Sequence, residues 1–159
     1  MVAREPGRVK SERPDTPTEL KVRALRLLTQ REHSRAELAR KLAPHAESAQ
    51  AVEDLLDQLL SKKQLSDQRY AEERARTLSR KYGIARIRHD LRSKGIAEHI
   101  VHSVSTEGEF ERAKAILERK YREPASTREE RARRARFLQS RGFSMDVITR
   151  LIRGSEEAA

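Results

Sequence analysis

Between positions 74 and 94 the chain places eight bases, Arg74, Arg76, Arg80, Lys81, Arg86, Arg88, Arg92 and Lys94, against one acid, Asp90. Eight positive charges less one negative give +7 over these 21 residues, out of a net +10 for all 159. A run of this charge attracts polyanions. An excess this one-sided points to a contact surface for a phosphate backbone or for the acidic lining of a nucleoprotein assembly. The mixed-sign pair Arg31-Glu32 and the acidic segment Glu47 to Asp57 read as solvated faces. A second basic run holds Arg128, Arg131, Arg133, Arg134 and Arg136, with Glu129 and Glu130 between them. Arg128, Arg131 and Arg134 recur every three residues, so they share one side of a helix. Surface solubility accounts for this second run as well as a partner does.

The other reactive residue types form no catalytic pattern. There is no cysteine, which excludes disulfides and thiol catalysis and fits a reducing compartment. His99 and His102 lie one helical turn apart, yet no third ligand stands at a diagnostic spacing, so no metal is expected. His33 reads as part of an inter-helix turn and Ser34 as a helix cap. No Gly-x-Ser-x-Gly elbow and no Gly-x-x-x-x-Gly-Lys phosphate loop occurs. The chain is expected to be a binding protein without enzymatic activity or cofactor. Aromatic residues are few, and Tyr70, Tyr121, Phe110, Phe137 and Phe143 fall on apolar positions that suit a core. Tyr82, inside the basic stretch, is the one placed to stack on a base.

These residues must be positioned by short helices. Apolar residues make up 36% of the chain and charged residues 38%, too little apolar material for one thick core. The apolar spacing is helical throughout, and no segment alternates with the two-residue period of a strand. Thr16 to Glu19, Ser34 to Glu37 and Thr127 to Glu130 each resemble a capping box at a helix start. Gly83, Gly95, Gly108 and Gly142 read as helix ends, and Pro44 and Pro124 as breaks. Nine helices result. No apolar run approaches the length needed to span a bilayer, and no secretory leader is evident at Met1 to Pro6. A cytoplasmic protein is expected.

A pattern recurs three times: Leu38 to Leu42, Leu91 to Ile96 and Leu138 to Phe143. Each has a leucine, a base three residues on, then a turn and an apolar residue. The turn glycine is present in the second and third copies, and Leu42 stands in its place in the first. The fold expected is all-α, with tandem three-helix repeats in an elongated, curved arrangement. A disordered tail would occupy 1–17, three-helix modules 18–66, 67–108 and 109–153, and a C-terminal tail 154–159. A module this small buries little surface alone, and stacking on a neighbour would extend its core.

Three stretches together are similar to the RecX family. They are Arg31-Glu32-His33-Ser34-Arg35-Ala36-Glu37-Leu38 with Lys41-Leu42, then Leu65-Ser66-Asp67-Gln68-Arg69-Tyr70-Ala71, then Gly83 to Arg88 running on to Leu91-Arg92-Ser93-Lys94-Gly95-Ile96. The third module resembles the family more loosely, through Phe137-Leu138, Arg141-Gly142-Phe143 and Val147-Ile148. The resemblance implies nine helices in three tandem modules. It implies a regulator that binds in the groove of the RecA filament on DNA and inhibits recombinase, ATPase and coprotease activities, and the repeat pattern leads us to expect a monomer. One departure is Ala43-Pro44-His45, where many relatives carry Lys-Gly. The alternative is a helix-turn-helix DNA binder, since Ser34 to Leu42 has the small-residue texture of such a motif's first helix. The following segment argues against it, because Ala46 to Leu60 carries Glu47, Glu53, Asp54 and Asp57 and no base.

Overall fold

The computed structural model describes residues 13–157, with the side chains of Ser155 and Glu156 left out. Most of the tail expected over 1–17 therefore lies outside the described residues. From Asp15 the chain is tied down. The Asp15 N–H donates to the His45 carbonyl at 2.8 Å, and its carboxylate pairs with Arg23 at 2.8 Å. The hydrogen bond from Arg23 holds the Asp15 carboxyl below its ordinary range.

Among the described residues there are nine α-helices: α1 (Pro17–Gln30), α2 (Arg35–Leu42), α3 (Ala49–Ser61), α4 (Asp67–Leu78), α5 (Ile84–Ser93), α6 (Glu98–Ser103), α7 (Glu109–Lys120), α8 (Arg128–Ser140) and α9 (Met145–Glu157). No strand occurs among the described residues. The fold is all-α, as the spacing predicts. Helix α9 runs on through Gly154 to Glu157, where a tail was expected.

The helices pack in threes: α1 with α2 and α3, α4 with α5 and α6, α7 with α8 and α9. Each triplet closes around its own apolar cluster. Leu20, Leu38, Leu42, Leu56 and Leu59 centre the first, Ile87, Leu91 and Val101 the second, and Leu138, Phe143 and Ile148 the third. The first triplet forms one compact unit that ends at Ser66. The second and third together form another, which begins at Asp67.

Polar caps set the helix starts. Thr16, Ser34, Ser48 and Thr127 each accept a backbone N–H from the third residue of the helix they open. Only Thr127 completes the reciprocal box, with Glu130 reaching back to the cap N–H. Glu19 and Glu37 turn instead to Arg13 and Arg31, whose guanidiniums outcompete a neutral amide.

The ends of α5 and α8 share one geometry. Gly95 and Gly142 are left-handed, at φ +79° and +86°. The next residue's N–H reaches back to the helix leucine: Ile96 to Leu91 at 3.1 Å, and Phe143 to Leu138 at 3.2 Å. This is the Schellman arrangement, and it explains why leucine, glycine and an apolar residue recur at fixed spacing. The first copy departs from it. Ala43 is still right-handed and leads into a 3₁₀ turn over Ala43–His45. The matching motif of the first triplet instead closes α3, with Lys63 left-handed at φ +59° and Gln64 N–H on the Leu59 carbonyl at 2.9 Å. Gly108 also differs from expectation. Helix α6 has already ended at Ser103, and Gly108 opens α7 from a left-handed conformation.

The turn between α1 and α2 is organised by His33, which is fully buried. Its Nδ1 lies 3.0 Å from the Arg31 carbonyl and its Nε2 3.0 Å from Lys41 Nζ. An ammonium only donates, so Nε2 accepts and the Nδ1–H bonds the carbonyl. The ring is therefore neutral. Burial drives its pKa down, against the hydrogen bond to the Arg31 carbonyl, and the charges of Arg31 and Lys41 push down with it while Glu37 opposes them. Unfolding releases an imidazole that titrates near pH ~6.5. Below that pH the unfolded chain takes up a proton that the folded chain refuses, so stability falls as pH drops through this value. Urea midpoints between neutral and mildly acidic pH are expected to fall for the wild type. The fall should be shallower for His33→Gln, and an equally steep loss in that variant would exclude His33 as the source.

Candidate functional site: a cationic cleft

The structure places the basic residues singled out by sequence in several different settings. Arg74 makes a two-pronged ion pair with Asp90, at 2.9 and 3.1 Å, across α4 and α5. Arg92 pairs with Glu98 at 2.6 and 3.3 Å, and that guanidinium holds the Glu98 carboxyl below its ordinary range. Arg76 borders a hollow that also contains Glu72 and Glu107. Arg88 is half-buried, with its Nε enclosed and without a hydrogen-bond partner. Lys94 caps the far end of α5. In the second run, Arg128 is exposed at the start of α8 and Arg131 is half-buried. Arg134 folds back to donate to the Glu123 carbonyl at 2.7 Å and lies over the Tyr121 ring at 4.5 Å.

Two of the expected residues, Arg80 and Lys81, converge with three others. They stand in the turn after α4 and line a cleft of about 410 Å³. Its other walls are Tyr82, Ile116, Arg119, Lys120, Phe137 and Arg141. Arg119 and Lys120 close the last turn of α7, and Arg141 is the C-cap of α8. Cations at helix C-termini are favoured by the helix dipole, a local reason for their positions. Five bases thus share one cleft whose lining contains no acid. Arg141 lies 5.7 Å from the Tyr82 ring centre and 5.3 Å from that of Phe137, and Lys120 lies 4.2 Å from the latter. Arg86, just outside the lining, stacks on Tyr82 at 4.5 Å. Cation–π contacts of this kind hold the charges in place without neutralising them.

Sequence reasoning passed over Arg119, Lys120 and Arg141. Arg141 was visible as the base of the third repeat, and Arg119-Lys120 as a basic pair beside Tyr121. What placed them with Arg80 is the docking of the third triplet on the second, which no local pattern encodes.

That docking is close. A Cβ on Gly83 would lie 2.5 Å from the Gly142 carbonyl oxygen and from the Phe143 nitrogen. A Cβ on Gly142 would lie 2.5 Å from the Arg86 Cβ. With no side chain between them the backbones bond directly: Gly83 N–H to the Arg141 carbonyl at 2.8 Å, and Ala85 N–H to the Gly142 carbonyl at 3.1 Å. Gly83 is ordinary extended backbone, at φ −85°, so it is close approach and not backbone freedom that requires glycine here. The buried Glu109 completes the joint. Its carboxylate accepts from the N–H of Ile84 at 3.2 Å and of Ser144 at 3.4 Å. These are unpaired donors at the starts of α5 and α9, where a negative charge is favoured.

No residue of the first triplet lines this cleft. The α3 helix carries Glu53, Asp54 and Asp57, and Arg35 of α2 is bound to Glu53 and Asp57 at 2.6 and 2.9 Å. A helix of that charge is a poor major-groove reader. Among the described residues no three or more histidine, aspartate or glutamate side chains are grouped to hold a metal ion. Nor is any described helix long and apolar enough to cross a membrane.

Comparison with known proteins gives a consistent picture. Family models described as the first, second and third three-helix domains of RecX match residues 21–59, 66–104 and 107–152. The regulatory protein RecX of Ralstonia nicotianae is 43% identical over 146 residues, spanning 90% of this chain and 92% of that one. That of Neisseria gonorrhoeae is 39% identical over 131 residues, spanning 81% and 86%. A crystal structure of RecX from Lactobacillus salivarius shares the fold at a TM-score of 0.77 and 22% identity, over 88% of this chain and 96% of that one. With three tandem domains matched in order along one chain of regulatory relatives, this protein belongs to the RecX family.

Proposed function

We propose that this protein is a negative regulator of the RecA recombinase. In this reading it binds the RecA filament on DNA and lowers its recombinase, ATPase and coprotease activities, and so acts in DNA repair and the SOS response. The observation that carries the reading is the match of all three domains, in order, to a family of regulatory proteins. The surface chemistry supports it: the net charge is +10, and part of that excess is gathered in a cleft without a neutralising acid. A nucleoprotein filament is the kind of polyanionic partner that such a field attracts. The protein works as a cytoplasmic monomer without cofactor or catalysis, and meets DNA weakly or within the filament. Co-sedimentation tests this. The chain is expected to pellet with RecA assembled on single-stranded DNA and to stay largely in the supernatant with either component alone. Equal recovery in all three samples would contradict filament recognition.

A further inference from the structure

We propose that the groove between α7 and α9 in the third domain docks an acidic amphipathic helix of a protein partner. The inference goes beyond the filament reading and does not depend on it, because it needs only this chain and a peptide.

Three observations carry it. The first is a glycine that the chain itself does not need. Gly154 lies inside α9, where glycine is a poor helix former. Its backbone is not left-handed, and nothing lies within 4 Å of the place a Cβ would take. Gly83 and Gly142, by contrast, are required by the backbones that meet there. A local rule broken without an internal reason marks a functional position. Gly154 lines a groove of about 660 Å³, and its bare backbone leaves room for a second helix to approach closely. The second observation is shape. The lining follows one stripe of α7, from Phe110 through Lys114 and Leu117 to Tyr121, with Leu151 of α9 across from it. From Phe110 to Tyr121 the chain runs about 16 Å, or three helical turns. The groove thus has the length of a short helix, and its apolar floor of Leu117, Pro124 and Leu151 suits anchors spaced three and four residues apart. The third is charge. Arg150 lies over the Phe110 ring at 4.5 Å and Arg134 over the Tyr121 ring at 4.5 Å, so each end of the groove holds a fixed cation. The rings are thereby covered, and their role is to hold these charges. Lys114 and Arg122 add two more bases, against Glu118 and Glu123. Four positive charges less two negative leave +2 around the apolar floor. The complement is an apolar stripe flanked by acids. A basic helix would meet like charge at both ends, and a single-headed amphiphile would satisfy one end only.

The test uses the full chain and a fluorescein-labelled helical peptide of about four turns, with leucines along one face and glutamates elsewhere, followed by anisotropy. Gly154→Leu is the decisive variant. It fills the groove from a position with open space and favours the helix. Its thermal midpoint should hold or rise while peptide binding weakens about tenfold or more. Arg134→Gln/Arg150→Gln should also weaken binding about tenfold and flatten its dependence on salt. Arg80→Gln/Arg119→Gln, in the cationic cleft, should change affinity less than about threefold. A peptide with lysine for every glutamate, or with serine for every leucine, should bind about tenfold more weakly than the parent. Unchanged binding by a folded Gly154→Leu chain would overturn the proposal, as would equal binding of the serine peptide, which would reduce the effect to charge. Binding of oleate at the groove without binding of the peptide would overturn it too, and assign the groove to a single-headed amphiphile. Because RecA is absent, failure of the filament reading leaves these outcomes unchanged.

Discussion

Gly83→Ala is expected to cost about 3 kcal/mol or more, far beyond the usual effect of adding one methyl group. The new Cβ would be placed 2.5 Å from the Gly142 oxygen and from the Phe143 Cα, both backbone atoms that cannot rotate aside. The helix itself gains nothing from the change, because Gly83 precedes α5 as its N-cap. Relief requires the second and third domains to separate. That strands the Gly83 and Ala85 N–H groups and opens the buried Glu109 contacts. A thermal scan should show the transition lowered by well over 10 °C, at roughly 4–8 °C per kcal/mol for a unit of this size. Gly154→Ala provides the contrast. Nothing lies within 4 Å of a Cβ there, and the position is inside α9, so alanine should be neutral or stabilising by up to ~1 kcal/mol. Equal effects of the two substitutions would show that the domains do not dock through this joint.

Leu91→Ala should cost about 3–4 kcal/mol, in the middle of the range for leucine truncation. Leu91 is 0% exposed and packs with Ile87, Ile96 and Val101 in the second domain's core. Its carbonyl also accepts the Ile96 N–H that closes the end of α5, so the core and the turn meet at one residue. A core built from so few large side chains has little capacity to collapse around the hole. The urea midpoint should fall steeply while helix content at zero urea is retained. An unchanged midpoint would mean that Leu91 is not central to this core.

Much of the fold was legible in the sequence, because it rests on short-range rules. Leucine spacing gave the buried stripes, and Thr16, Ser34 and Thr127 marked helix starts by an interaction that spans three residues. Gly95 and Gly142 marked ends through a conformation that side chains resist. The misreadings fall where a residue's role depends on distant neighbours or on local alternatives. Gly83 looked like a helix stop and is a contact point for Gly142, 59 positions away. Gly108 looked like the end of α6 and is the start of α7. Lys63 adopts the left-handed turn that sequence would assign to glycine.

The site was legible only in part, for the same reason. The run from Arg74 to Lys94 is dense in bases, but a helix spreads consecutive residues around its circumference. Asp90 and Glu98 then remove Arg74 and Arg92 from the count. Arg80 and Lys81 keep their charge and acquire Arg119, Lys120 and Arg141 as neighbours through tertiary packing. Charge density along the chain therefore located one edge of the cleft and missed the other two.

The central claim is regulation of RecA, and its most direct test is the rate of ATP hydrolysis by RecA on single-stranded DNA, titrated with this protein. The account predicts a concentration-dependent fall in that rate at substoichiometric to stoichiometric amounts of the chain, with DNA held in excess so that competition for free strand is excluded. An undiminished rate across the titration, with a folded and monomeric protein, would contradict it.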